Sequence, residues 1–433
     1  MKCSRNAVIF DTRFAQQSIL LRTGMTHGMK GFCWLGLLGL LVTGCRKGDQ
    51  DVTPDKPLTW FETFAKALDD SLKTKQIGYG FVILEKGEVR ASGRGGLKSR
   101  TTESEGEKAF TLDTKTHIAS MSKTITTMAF LHLAAEKGLK TTDKIAPYLP
   151  PSWPKGENID QITFRDLMTH RSGIIGLGNN CVNGAFSENI WFGLKQLVQQ
   201  GVKTANRGDY CYQNANFGLF RVLIPGILGY SFTGEDSIDD QQTQQRYIDY
   251  VQKNVFEKVG LTNILANHPT GDPTYTYAYL KTGITGWNPG NFTNTVGAYG
   301  WYMTPTEAGK LFATVLSTAD QSVLTTAWKD TLLTYRMGAY AGTIPDGAIR
   351  YHDGWWYLKL AQYQGVRTVW MTFPNQVTAV LFVNALHHSR GNFPSDDGTD
   401  IVTYLSRAYT QTRQMKGGRK SAEKVVLEHN EPH

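Results

Sequence analysis

The sequence predicts an α+β fold: an antiparallel sheet flanked by helices, its strands drawn from both chain ends, with a mainly helical second lobe. Three observations carry this. Strand patterns stand near residue 80 and return only after residue 365, helical patterns fill most of the interval, and tight turns join the strands at each end.

Residues 60–73 (WFETFAKALDDSLK) place Trp60, Phe61, Phe64 and Leu68 on one face of a helix. Gly80–Leu84, a Glu85-Lys86-Gly87 turn and Glu88–Gly93 form a hairpin pattern. Residues 120–137 are apolar almost all round, which predicts a buried helix, and Gly138 supplies its stop. Thr163 with Asp166 reads as a capping box opening a helix over Phe164–His170. Helical patterns continue over 215–228, 241–256 and 305–318. Val366–Phe373, a Pro374-Asn375 turn and Val377–Asn384 restore strand character. A last helix aligns Ile401, Leu405 and Tyr409 at i, i+4, i+8.

A chain of 433 residues with 40% hydrophobic and 11% aromatic content can bury a large core and is not a disordered chain. Its net charge of +8 sits mostly at the ends: residues 1–44 carry +4 and residues 413–433 carry +2, leaving +2 for the body. With no basic stripe, nucleic acid is not an expected partner.

Lys30 precedes the twelve uncharged residues Gly31–Val42. Spanning a bilayer takes about 20 residues, so this run has the length of a signal-peptide core instead. It ends in Val42-Thr43-Gly44-Cys45, which resembles a bacterial lipobox; acylation of Cys45 would hold the mature protein at a membrane surface of the cell envelope, facing the periplasm or the exterior. Residues 1–28 fit no signal-peptide grammar, and Met29 is an alternative start. The expected division is a leader over 1–44, a linker over 45–57, a folded domain over 58–412 and a polar tail over 413–433. Cys3 and Cys33 leave with the leader, so Cys181 and Cys211 remain as an even pair, either bonded or as two buried thiols. None of the ten histidines has Glu-x-x-His spacing, and the one His-x-x-x-His pair, His429 and His433, lies in the polar tail with Pro432 between them, so neither a metal nor another cofactor is expected.

The chemistry concentrates at Ser120-Met121-Ser122-Lys123, where the buried helix begins. At i, i+3 the Ser120 hydroxyl and the Lys123 amine share a face. Burial disfavours the ammonium form, and a neutral amine can take the hydroxyl proton and make Ser120 a nucleophile. Ser-x-x-Lys recurs at Ser152/Lys155, where Pro154 intervenes, and at Ser421/Lys424 in the polar tail; neither has the buried helical setting.

The run His117–Thr124 (HIASMSKT) resembles the active-serine motif of the serine β-lactamase and penicillin-binding protein superfamily, and most of all its class C β-lactamase branch. Three further stretches resemble that family in order: Ile162–Gly173 (ITFRDLMTHRSG), Tyr212-Gln213-Asn214 and Ala298–Pro305 (AYGWYMTP). The resemblance spans roughly residues 60–410 and implies the class C β-lactamase-like fold. It also implies a proton shuttle at Tyr212, and at Asn214 an amide that holds the lysine and the substrate.

Two stretches compete for the last family motif. Lys281-Thr282-Gly283 precedes Ala298–Pro305 and has no clear strand context, so it reads as a surface loop. His352-Asp353-Gly354 follows it and leads into the late strands, so the role falls to His352. By resemblance the oxyanion donors are the backbone N–H groups of Ser120 and Trp355, with Gly354 allowing close approach. Asp353 departs from the family pattern. Facing the cleft it would repel a substrate carboxylate, with Trp355 and Trp356 narrowing the space; pointing away, it would leave the cleft unchanged.

The expected function is a lipid-anchored serine hydrolase that forms an acyl-enzyme on an ester or amide. Its substrate is a small molecule or peptide such as a peptidoglycan stem peptide, which would make it a D-alanyl-D-alanine carboxypeptidase. A carboxylesterase or a β-lactamase of the same fold, or a cell-wall peptide-binding protein without turnover, are the alternatives.

Overall fold

The computed structural model describes residues 57–178, 180–183, 185–317, 319–417 and 426–428. The leader, Cys45 and most of the linker lie outside the described residues. Helix α1 (Trp60–Leu72) opens on a capping box in which Thr59 and Glu62 each accept from the other's backbone N–H. The hairpin of β1 (Tyr79–Glu85) and β2 (Glu88–Gly95) closes through Lys86 and Gly87, both at positive φ (54° and 86°), the turn that matches strand twist. Two short ribbons follow: β3 (Leu97–Ser99) with β4 (Lys108–Ala109), and β5 (Thr116–His117) with the later β7 (Tyr302–Met303).

The helical lobe holds α2 (Ser122–Lys137), α3 (Phe164–Met168), α4 (Trp191–Gln200), α5 (Asn214–Gly218), α6 (Phe220–Ile227) and α7 (Asp236–Val251). As its composition predicts, α2 is buried from Ser122 to Leu131 without a solvent face, and Gly138 ends it at φ 67°. Other boundaries moved. The helix expected to reach His170 stops at Met168, because His170 takes a left-handed φ of 56°. The 241–256 pattern starts five residues early, at Asp236, and its last turn, Gln252–Phe256, is a wider π turn.

The C-terminal half adds β6 (Tyr277–Tyr279), α8 (Pro305–Leu316), α9 (Thr326–Tyr335), β8 (Tyr340–Ile344), β9 (Gly347–Lys359), β10 (Tyr363–Phe373), β11 (Val377–Val383), β12 (Ala385–His387), α10 (Ile401–Gly417) and β13 (Val426–Glu428). Among the described residues nine strands form one sheet along the path β13-β8-β9-β10-β11-β1-β2, with β6 paired to β10 and β12 paired to β6. β1 lies between its hairpin partner and β11, Tyr79 opposite Val383, so the two chain ends meet in mid-sheet. Two stretches of the expected polar tail belong to regular structure: α10 runs to Gly417, and β13 pairs with β8.

Alternation along the central strands buries both faces of the sheet. Phe81 and Ile83 of β1 face α1 and α10, where Phe64 and Tyr409 pack and Tyr409 stacks on Phe373 at 4.1 Å. Val82 and Leu84 face α8 and the helical lobe. On that side Trp370 of β10 donates its indole N–H to Thr124 Oγ1 of α2 (3.2 Å), tying sheet to lobe next to the start of α2.

Candidate active site

Ser120 sits in a 3₁₀ turn, Ala119–Met121, that runs directly into α2. Ala119 holds φ at 47°, a left-handed conformation that costs a residue with a Cβ about 1–3 kcal/mol and persists only where the surroundings impose it. Those surroundings are the strands. Ile118 donates its N–H to the Trp301 carbonyl (3.0 Å), and its own carbonyl accepts from Thr368 Oγ1 of β10 (2.9 Å). Gly354 of β9 approaches so closely that a Cβ would lie 2.3 Å from the Ile118 oxygen and 2.2 Å from Thr368 Oγ1. Only glycine fits that contact.

Lys123 is fully buried one helical turn on. Its Nζ donates to Ser120 Oγ (2.9 Å), Asn214 Oδ1 (2.7 Å) and the Ala298 carbonyl (3.1 Å), all neutral acceptors. Tyr212 donates its phenol to the same Ser120 Oγ at 2.8 Å, and its ring lies 4.9 Å from the lysine nitrogen. Ser120 Oγ is thus flanked by an amine that, when neutral, can take its proton and by a phenol that can pass a proton on. The four residues that sequence patterns singled out separately, Ser120, Lys123, Tyr212 and Asn214, share one hydrogen-bonded cluster. The Ala298 carbonyl explains why Ala298–Pro305 belongs with them.

Extended backbone at Gln213 (φ −137°) sends Tyr212 and Asn214 to one side and Gln213 to the other. His170, which sequence reasoning did not single out, holds this segment. Its Nδ1 accepts from the Gln213 N–H and from the Asn216 side-chain amide, both at 3.2 Å, and its ring lies 4.4 Å from that of Tyr212. An accepting Nδ1 places the imidazole proton on Nε2. The sequence signal was its place in Ile162–Gly173. On the other side of the segment, Cys181 and Cys211 are joined as a disulfide, S–S 2.09 Å.

Strand alternation on β9 sorts the remaining candidates. His352, Gly354 and Trp356 take one face; Asp353 and Trp355 take the other. Asp353 therefore lies on the face of β9 turned away from Gly354. Its carboxylate pairs with Arg367 Nη1 at 3.0 Å, both side chains 3% exposed or less, and Arg367 also pairs with Asp400. The Trp355 indole likewise turns from the cleft and donates to the Gly391 carbonyl (2.7 Å), so it does not narrow the cleft; only its backbone N–H remains a candidate. Trp356 packs against Tyr299 (4.7 Å), Phe292 (5.3 Å) and His117 (5.8 Å) below the nucleophile turn. His352 donates Nδ1–H to the Asp353 carbonyl (2.7 Å). It joins His170, Arg171, Tyr210, Arg336 and Tyr340 around a cavity of about 100 Å³. Lys281, Thr282 and Gly283 lie exposed after β6, as the loop reading expected.

His117, three residues before Ser120, is completely buried between Phe292 (4.1 Å, stacked) and Tyr302. Neither ring nitrogen has a hydrogen-bond partner among the described residues, and burial pushes its pKa down to about 3.

The chain is 25% identical over 254 residues to the teichoic acid D-alanine hydrolase of Staphylococcus aureus, covering 58% of this chain and 57% of that one. It spans between about a third and just over half of the length of the first curated relatives it matches. Among solved structures, FmtA from Staphylococcus aureus superposes with a TM-score of 0.60 at 18% identity, over 81% of this chain and 89% of that one. A D-amino acid amidase from Ochrobactrum anthropi SV3 gives 0.61 at 15% identity, over 83% and 99%. A class C β-lactamase from Rhodobacter sphaeroides gives 0.54 at 17% identity, over 82% and 99%. These likenesses concern the fold. The Beta-lactamase family model matches residues 61–397, more than three-quarters of the sequence, and the chain belongs to that family of serine hydrolases built on the β-lactamase fold.

Proposed function

We propose that this protein hydrolyses a D-aminoacyl ester or amide through an acyl-enzyme on Ser120. The observation that carries the reading is the double contact on Ser120 Oγ, 2.9 Å from Lys123 Nζ and 2.8 Å from the Tyr212 phenol. Ser120 attacks the acyl carbonyl as its one proton passes to the neutral Lys123 amine, and the Tyr212 phenol, once it has given its proton to the leaving group, is reprotonated from Lys123. The backbone N–H groups of Ser120 and Trp355 receive the oxyanion, Tyr212 protonates the leaving group, and water releases the acyl group by the reverse path. Asn214 orients Lys123 and the substrate amide.

Two relatives named above, a teichoic acid D-alanine hydrolase and a D-amino acid amidase, support the D-aminoacyl class. A D-alanyl-D-alanine carboxypeptidase is the first choice within it, an esterase or amidase the second and a β-lactamase the third. The cavity beside His352 adjoins Tyr212 through His170, and its two guanidinium and two imidazole groups favour a leaving group that carries negative charge. With Asp353 facing away from the cleft and paired to Arg367, the binding-only alternative loses its motive. The uncharged Gly31–Val42 run before Cys45 supports lipid anchoring in the cell envelope.

The test is to treat the protein with a fluorophosphonate, locate the modified residue by mass spectrometry, and assay D-alanyl esters, D-alanyl-D-alanine peptides, nitrophenyl esters and a chromogenic cephalosporin. Labelling of Ser120, absent in Ser120→Ala and Lys123→Ala variants that remain folded, is expected. A folded wild-type protein left unlabelled at Ser120 refutes the proposal.

A further inference from the structure

The segment that carries Tyr212 and Asn214 starts at Cys211, and Cys211 is bonded to Cys181 in the loop that precedes α4. Three consecutive residues of that loop grip the segment. Cys181 holds Cys211 covalently, the Val182 carbonyl accepts from the Gln213 side-chain amide, and Asn183 Oδ1 accepts the Asn214 N–H at 3.1 Å. The Gln213 amide also reaches Cys211 Sγ at 3.7 Å.

This loop packs little core. Cys181 is exposed, and the Val182 side chain is 67% exposed. Its connections run instead to residues 211, 213 and 214, and the segment they border makes the contacts that matter for chemistry. The Tyr212 phenol reaches Ser120 at 2.8 Å, and Asn214 Oδ1 receives Lys123 at 2.7 Å. An ångström of drift in this short extended stretch would lengthen both contacts together. Misplacements of that size cost up to about 100-fold in rate.

We propose that the Cys181–Cys211 disulfide, together with Asn183, is a positioning clamp for Tyr212 and Asn214, and that turnover depends on its oxidation state. The inference rests on the roles proposed above for Tyr212 and Asn214. Reduction by a dithiol such as dithiothreitol transfers two electrons and two protons. The S–S bond opens to two thiols, and the reductant closes to its cyclic disulfide. Among the described residues, the loop then keeps its hydrogen bonds to Gln213 and Asn214.

The experiment uses the full-length protein in oxidised, dithiothreitol-reduced and re-oxidised states. It measures nitrophenyl ester hydrolysis, the rate of Ser120 fluorophosphonate labelling and far-UV circular dichroism. Reduction is expected to lower kcat about 10- to 100-fold with KM within roughly threefold, and re-oxidation to restore it. With the disulfide intact, Asn183→Ala should lower kcat about 3- to 10-fold, the scale of one lost hydrogen bond, and Asn183→Asp, which keeps the acceptor, should not. If reduction unfolds the protein, the Asn183 pair decides. An oxidised protein not labelled at Ser120 removes the reading on which the clamp rests. A labelled protein indifferent to reduction and to Asn183→Ala overturns the clamp alone.

Discussion

Replacing His117 by phenylalanine separates one buried imidazole from every other source of acid sensitivity. The ordinary histidine value is 6.5, and complete burial among Phe292, Tyr302 and Trp356 pushes this one down to about 3. Between those values the unfolded chain binds the proton and the folded chain does not. Folding stability is therefore complete above pH 6.5 and falls as pH drops toward 3. The full loss is roughly 4–5 kcal/mol, and at pH 4.5 it is about 3 kcal/mol. Phenylalanine keeps the stacked ring without a basic nitrogen, and neither nitrogen of His117 has a hydrogen-bond partner among the described residues to lose, so the cost at pH 7.5 is that of fitting a larger ring, about 1–3 kcal/mol. Urea unfolding of both proteins at pH 7.5 and 4.5 gives the comparison. Groups common to both cancel in the difference, and the variant should lose about 3 kcal/mol less than wild type on acidification. Equal losses in the two proteins would refute a neutral, desolvated His117.

Two further outcomes test the sorting of side chains along β9. Asp353→Ala leaves a buried guanidinium with one carboxylate fewer, so thermal or urea unfolding should show a loss of about 3–5 kcal/mol. KM for substrates bearing a carboxylate should stay unchanged, and a marked fall in it would put Asp353 back in the cleft. Gly354→Ala adds a methyl group where the Ile118 carbonyl and the Thr368 hydroxyl already stand, so the nucleophile turn must shift. Labelling of Ser120 should slow by about 100-fold or more, and a variant labelled at the wild-type rate would contradict the close approach of β9 to the turn.

The parts of this architecture legible in the sequence are those with local causes. The β1–β2 turn, the capping box at Thr163 and the all-round burial of α2 follow from neighbouring residues. So does the spacing of Ser120 and Lys123, whereas Tyr212 and Asn214 are legible only through the resemblance of Tyr212-Gln213-Asn214 to the family's motif. What stayed hidden depends on distant partners. β9 runs through Gly347, Ala348, Asp353 and Gly354, poor strand formers, and is held as a strand by β10, while β8 in turn pairs with β9. Whether Asp353 faced the cleft could not be read without the register that sets Arg367 beside it, and His170 gained its role only when the fold brought it against Gln213.

The position of β1 between β2 and β11 bears on how the molecule is made. Tyr79 and Val383, neighbours in the finished sheet, are separated by some three hundred residues of chain, so their pairing closes a very long loop and tends to be slow. The turn bearing Ser120 takes its shape from Trp301, Gly354 and Thr368, all contributed by the late half of the sequence. A nascent or truncated chain ending before β10 therefore lacks the strap that imposes the left-handed Ala119. Its serine would be an ordinary alcohol until synthesis is essentially complete.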